Sequence, residues 1–214
     1  MSQIRQISKA IRSTATLWIL TAFIYPFFML LCGQILFPFQ ANASLITNSQ
    51  GTVIGSALIG QPFAGEQYFW SRPSTTNYST ADPKNDQAGI LKTGVSGASN
   101  LAPSNPALLE RIQGKDDPDP SKKIVGDLTR LQNFGVQPTA DLVYTSASSL
   151  DPHITLEGAK AQIARVAQAR GVETNQLETL ITQNIDGRFL GIFGESGVNV
   201  LKLNLALDVL KPAS

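Results

Sequence analysis

His153 is the only histidine in the chain and follows Asp151 by two residues, in Leu150-Asp151-Pro152-His153-Ile154. An imidazole beside a carboxylate is the base and orienting group of a nucleophilic hydrolase, which then needs a hydroxyl or thiol to activate. Ser96 offers one in Gly94-Val95-Ser96-Gly97-Ala98, but Ala98 replaces the last glycine of a nucleophile elbow. Gly89–Thr93 is also a poor candidate for the buried strand an elbow needs before it. Asp-Pro starts turns for its own steric reasons, so Asp151-Pro152-His153 reads equally as a turn ahead of a helix. Phosphate-cradling sequences are missing: there is no G-x-x-x-x-G-K-[ST], and Gly187, Gly191, Gly194 and Gly197 do not have the dinucleotide spacing. Those glycines read as turn residues between apolar segments. One histidine and one cysteine, Cys32, cannot assemble a zinc set. No catalytic or metal-ligating residue follows from the motifs, and none binds a cofactor recognisably.

The elements that would carry such groups are unevenly charged. The chain has 214 residues, with 17 Lys+Arg against 16 Asp+Glu. A net charge of +1 argues against nucleic acid as a partner. Charge is absent from Ser13 through Gly65, and this window holds the run Leu17-Trp18-Ile19-Leu20 to Leu36-Phe37. An apolar helix of roughly 20 residues crosses a bilayer, so a spanning helix is expected over 14–37. Trp18 and Phe37 suit its two interfaces, and Pro26 after Tyr25 predicts a kink that spanning helices tolerate. Arg5, Lys9 and Arg12 with no acid make 1–13 a short basic cytoplasmic tail and send 40–214 outside as an extracytoplasmic domain. Ala41-Asn42-Ala43 resembles a cleavage site, but the apolar run exceeds a signal peptide's core, which favours an uncleaved anchor. Lipid attachment at Cys32 is disfavoured by Leu31, which stands where a small residue is expected.

The exported part reads as one α+β domain with no disulfide to staple it. Thr52–Gly60 is expected as a strand bounded by glycines, and Ala140–Thr145 as a second, short one. Thr155 is the expected N-cap of a helix that ends at Gly171, and a further helix is expected from Thr174 to Asn184. Val198–Leu210 alternates like a strand but has helix-forming composition, and the helix is the favoured reading. Tyr68-Phe69-Trp70 reads as core. The stretch Arg72–Pro106 is long, polar and aperiodic, a form that in compact domains is usually functional. Arg72, Asn77, Asn105, Asp151 and His153 are the candidate partner contacts, with an internal ion pair an equal reading for Arg72.

Taken in order, several segments resemble the C subunits of the bacterial Kdp potassium-transporting P-type ATPases. They are Ile24-Tyr25-Pro26, Gln40–Ile46, Gly55–Phe63, Tyr68–Ser74, Ser99–Pro106, Ala140–Val143, Leu150–Ile154 and Val198–Asp208. Ala98, Ala102 and Ser148-Ser149 depart from an expected glycine or glycine-rich turn. The resemblance implies a non-catalytic subunit of a bacterial inner-membrane potassium uptake complex. Its implied partners are a potassium-translocating subunit, an ATP-hydrolysing pump subunit and a small membrane peptide. It also implies assistance to assembly and a raised ATP affinity in the pump subunit, ATP being bound there. An exported domain cannot touch ATP inside the cell, so that effect is expected to pass through the complex. A membrane-anchored periplasmic binding module and a Ser/His hydrolase are the alternative readings.

Overall fold

The computed structural model describes residues 2–48, 50–80 and 94–210. The chain divides into two units, 1–54 and 55–214.

In the first unit, helix α1 (Ser2–Ile19) runs into a π turn (Leu20–Ile24) and continues as α2 (Tyr25–Leu36). The basic residues lie on this helix: Arg5, Lys9 and Arg12 fall on one face of α1. Together Gln3–Leu36 form a helix long and apolar enough to cross a membrane. Its irregularity has a cause in Pro26, which has no N–H for the carbonyl four residues back. The Tyr25 N–H bonds five residues back, to Leu20 O, and the ladder widens by one residue at that point. A short helix α3 (Pro38–Ala41) leads to strands β1 (Leu45–Thr47) and β2 (Val53–Ser56), which pair with each other. Their turn is shaped by Asn48, whose Oδ1 accepts from the Gln50 and Thr52 amides at 3.0 and 2.9 Å. The strand expected over Thr52–Gly60 is therefore shorter. It stops at Ser56 because the Ser56 hydroxyl accepts from Leu58 N at 3.1 Å and draws the chain into a turn.

The second unit is an α+β body. Helices α4 (Pro106–Gln113), α5 (Asp127–Asn133) and α6 (Ala140–Val143) precede strand β3 (His153–Ile154). Then follow α7 (Leu156–Ala161), α8 (Ile163–Arg170), α9 (Thr174–Gln183), strands β4 (Ile185–Asp186) and β5 (Gly197–Asn199), and α10 (Val200–Val209). The sheet order is β3-β5-β4, all antiparallel, with His153 opposite Asn199 and Asp186 opposite Gly197. Leu142, Ile154, Val166, Leu177, Val198 and Leu203 belong to the core between sheet and helices. Burying each such side chain contributes roughly 1.5–3 kcal/mol.

Local signals explain most of these boundaries. Thr155 caps α7 by accepting from Gly158 N at 2.9 Å, and α8 ends at Gly171 with φ 64°. Gln162 breaks the expected single helix into α7 and α8, because its side chain is turned into the core to bond Trp70. Val198–Leu210 divides into strand β5 and helix α10, and Asn199 is the hinge: its Oδ1 accepts from Lys202 N at 3.2 Å. Ala140–Thr145 corrects the expected strand. It makes one helical turn, closed by Tyr144 N donating to Ala140 O at 2.8 Å. Asp141 sets it there: its buried carboxylate accepts from Thr155 N at 2.6 Å, and only glycine at 158 leaves room for it.

Phe69 and Trp70 are buried but belong to no strand, so their backbone groups need other partners. Two side-chain amides supply them. Asn204 accepts from Phe69 N and donates to Phe69 O, both at 2.9 Å. Gln162 accepts from Trp70 N at 2.7 Å and donates to Trp70 O at 3.2 Å. Each amide replaces one rung of a β-ladder.

Candidate functional site

The sheet collects the charged side chains into a row. Arg72 Nη1 donates to Asp151 Oδ2 at 3.1 Å, and Asp151 Oδ1 accepts from His153 N at 3.0 Å. His153 Nδ1 lies 3.5 Å from Asp151, and its Nε2 lies 3.0 Å from Asp186 Oδ2. Lys202 Nζ completes the row at 3.1 Å from both oxygens of Asp186. Backbone register makes this reach possible. Gly197 on β5 has no side chain, and a Cβ there would lie 3.2 Å from that of His153, so the imidazole crosses the central strand unobstructed.

Each group in the row is tuned by its neighbours. The Asp151 carboxylate raises the imidazole pKa most, burial opposes this, and Asp186 raises it further, so His153 stands above its ordinary value of 6.5. Burial resists ionisation of Asp151 and Asp186. Their bonds to His153, together with Arg72 for the one and Lys202 for the other, outweigh it and hold both carboxyls below their usual range. A histidine clasped by two carboxylates holds its proton and is a poor general base. Ser96 donates to Ser148 O at 3.1 Å, and among the described residues no hydrogen bond joins it to His153. The geometry thus builds an ion-pair row, and among the described residues the imidazole is hydrogen-bonded to carboxylates and not to a hydroxyl or thiol. A cavity of about 720 Å³ opens beside it, walled by Leu58, Phe189 and Glu195 as well as Arg72, Asp151, His153 and Asp186 of the row.

Two sequence candidates, Asn77 and Asn105, make no contact with the row, although Asn77 shares a neighbouring cavity with Arg72. Asn77 lies in a 3-10 turn, Asn77–Ser79, where all three residues have positive φ, and its Nδ2 donates to Thr80 Oγ1 at 2.8 Å. Asn105 caps α4, accepting from Ala107 N at 3.0 Å. Arg72, Asp151 and His153 come together, whereas Asn77 and Asn105 serve local turns. The ends of the Arg72–Pro106 stretch are pinned to one turn: Ser74 Oγ donates to Ser149 O at 2.7 Å and Gly97 N to Ser148 O at 3.1 Å. Residues 81–93 of that stretch, Gly89–Thr93 among them, lie outside the described residues. In the apolar helix, Trp18 packs edge-on against Phe23 with ring centres 5.1 Å apart, and Tyr25 and Pro26 follow the π turn. Phe37 ends α2. Cys32 is a free thiol on α2. Among the described residues no group of three His, Cys, Asp or Glu side chains converges as a metal site.

Sequence reasoning missed Asp186, Lys202 and the hairpin between β4 and β5. Phe189 and Phe193 exchange backbone hydrogen bonds of 2.9 Å across its tip, and Gly191 turns it with φ 74°. Phe189, Leu190, Ile192 and Phe193 project from it at 71, 74, 72 and 61% exposure. The available signal was four large apolar residues packed between Gly187 and Gly194, too few to bury one another.

Comparison with known proteins covers nearly the whole chain. Residues 7–209 match the family described as KdpC, K+-transporting ATPase, c chain. A potassium-transporting ATPase KdpC subunit from Microcystis aeruginosa is 68% identical over 210 residues, 98% of each chain. KdpC subunit 1 of Nostoc sp. PCC 7120 is 64% identical, covering 99% of this chain and all of its own. The KdpC subunit of Geobacter sulfurreducens is 43% identical, covering 97% of this chain and all of its own. With its span, its α+β body and these relatives, the chain belongs to the KdpC family, the c-chain subunits of the K+-transporting ATPase.

Proposed function

We propose that this chain is a non-catalytic accessory subunit that stabilises assembly of a high-affinity potassium uptake complex. It supports the ATP-hydrolysing subunit through the complex, without touching nucleotide. The N-terminus lies in the cytoplasm of the bacterial cell and the body of the chain faces outward across the inner membrane, as the bases of α1 and the uncharged span favour. One observation carries the reading: the Phe189–Phe193 hairpin presents four large apolar side chains to water. A rigid tip of aromatic and aliphatic residues is an anchor for a partner's pocket. Arg188 and Glu195 flank it with opposite charges, so the tip has no net basic character to draw it to an anionic lipid surface, and in a chain of a multi-subunit ATPase a protein pocket is the better occupant. The partner is the outer face of the potassium-translocating subunit, with the Arg72–Pro106 stretch making the polar rim.

Two exchanges in the intact complex test this. Replacing Gln3–Leu36 by an unrelated spanning helix should leave the complex co-purifying, and Phe189→Ser with Ile192→Ser should release the subunit. The opposite pattern sinks the proposal. A reporter active only in the cytoplasm, fused at the C-terminus, should stay silent, and a strong signal there overturns the orientation.

A further inference from the structure

A second cavity, of about 310 Å³, also has Arg72 in its wall but not Asp151, its carboxylate partner. Arg72, Arg111 and Arg130 line it, with Asp127, Asn77 and Tyr78. Its charges are poorly matched. Asp127 accepts from Arg111 Nη1 at 2.8 Å, but lies 4.0 Å from Arg130 Nη2, beyond hydrogen-bond reach. Among the described residues, the guanidinium of Arg130 has no hydrogen-bond acceptor at all. The Nε atoms of Arg72, Arg111 and Arg130 are buried and without partners. Those atoms lie out of a ligand's reach, so the donors open to the cavity are the outer Nη groups, and Arg130, a third exposed and without a hydrogen-bonded carboxylate, is where an anion would bind.

The surroundings add the positive charge of Arg165; Asp151 is taken up by Arg72, and Glu66 acts on Arg165, so neither carboxylate supplies Arg130 with an acceptor. Arg130 and Arg165 both lie over the ring of Trp70, at 4.8 and 3.8 Å from its centre. Arg165 is bonded to the carbonyls of Glu66 and Tyr68 and to Gln162 Oε1, all neutral acceptors. Its pKa is pushed down to about 10, by burial first and then by the charge of Arg130. The backbone over the cavity is constrained as well, with the left-handed Tyr78 fixed by its hydroxyl donating to Arg72 O at 2.5 Å.

We propose that this arginine-lined cavity binds a phosphate group, either free phosphate or the headgroup of an anionic phospholipid. A carboxylate offers two oxygens in one plane, and Asp127 already fills that role for Arg111. A phosphate group offers three oxygens in a tetrahedral array, suited to guanidinium forks that approach from different elements. Arg130 is the residue that gains most, since it has no acceptor otherwise. Phe63 and Pro73 give the cavity an apolar lip on which the carbon portion of a headgroup can rest.

Trp70 is one of two tryptophans and stacks on Arg130, so it reports occupancy directly. The full chain carrying Trp18→Phe is placed in nanodiscs of phosphatidylcholine and titrated with inorganic phosphate at constant ionic strength. Saturable change in Trp70 emission, about tenfold or more weaker in Arg130→Gln and only partly restored in Arg130→Lys, which keeps the charge but loses the fork, supports a free-anion site. No response there, but an Arg130-dependent difference in emission between phosphatidylglycerol and phosphatidylcholine discs, supports the headgroup. Absence of both responses, or titrations unchanged by Arg130→Gln, overturns the proposal. Near-UV circular dichroism checks that the variant is folded. If it is not, displacement of phosphate by sulfate but not by chloride on the unaltered residue decides, and failure of that competition overturns the site equally.

Discussion

Removing the side chain of Asn204 tests whether buried amides take the place of a missing strand. Phe69 is fully buried and Asn204 is 2% exposed, so Asn204→Ala leaves the Phe69 N–H and C=O without their 2.9 Å partners and out of reach of bulk water. An unsatisfied buried polar group costs about 1–3 kcal/mol, and two of them give a loss of about 2–5 kcal/mol once a trapped water relieves part of it. The measurement is urea unfolding of the full chain in detergent, followed through Trp70 in the Trp18→Phe background. Asn204→Asp separates hydrogen bonding from packing because it preserves volume. Its carboxylate still accepts from Phe69 N but confronts Phe69 O, and burial raises its pKa. Protonation supplies the missing donor, so this variant should regain stability as pH falls from 8 towards 5, while Asn204→Ala should not. A loss below about 0.5 kcal/mol in Asn204→Ala, the scale of an ordinary surface change, refutes the reasoning. An Asn204→Asp variant as stable at pH 8 as at pH 5 refutes it too.

The ion-pair row gives a pH signature. His153 has a pKa raised above 6.5, so its contribution is complete below the unfolded value and is lost as pH rises through the folded one. His153→Gln should therefore destabilise the domain most at mildly acidic pH and progressively less above neutrality in the same unfolding assay. Asp151 and Asp186 have lowered values and act in the other direction, their contributions fading as pH falls through the folded carboxylate range. Gly126→Ala should cost about 1–3 kcal/mol in thermal unfolding, because its Cβ would meet Gly114 N at 2.2 Å and Gln113 C at 2.3 Å, both backbone atoms. Gly187→Ala, with open space around its Cβ position, is the control and should stay within about 0.5 kcal/mol.

Much of this fold was legible wherever a signal is local. The span follows from a charge-free window, α7 from the hydroxyl of Thr155, the end of α8 from Gly171, and α9 from the spacing of Leu177, Leu180 and Ile181. What stayed hidden depends on partners distant in sequence. Leu142, Val143 and Tyr144 have strand-forming character, yet Asp141 is called into a helical turn by Thr155 N, fourteen residues away. Asp151 and His153 announced themselves as a pair, but Asp186 and Lys202 join them only through the β3-β5-β4 order. The apolar hairpin was visible as residues and not as a surface, since exposure is a property of the finished fold.

The π turn ahead of Pro26 has a consequence for reading the span. Each residue of an α-helix advances the phase by about 100°. The single extra residue held in Leu20–Ile24 shifts α2 by that amount against α1. A stripe traced from Arg5, Lys9 and Arg12 with one uniform period therefore arrives on α2 rather more than a quarter turn out of place. Helical-wheel projections and cysteine-scanning maps of this segment have to restart their count at Tyr25. Deleting one residue within 20–24 would bring the two halves back into step, rotating every side chain before it relative to every one after it while changing the span's length by little more than an ångström.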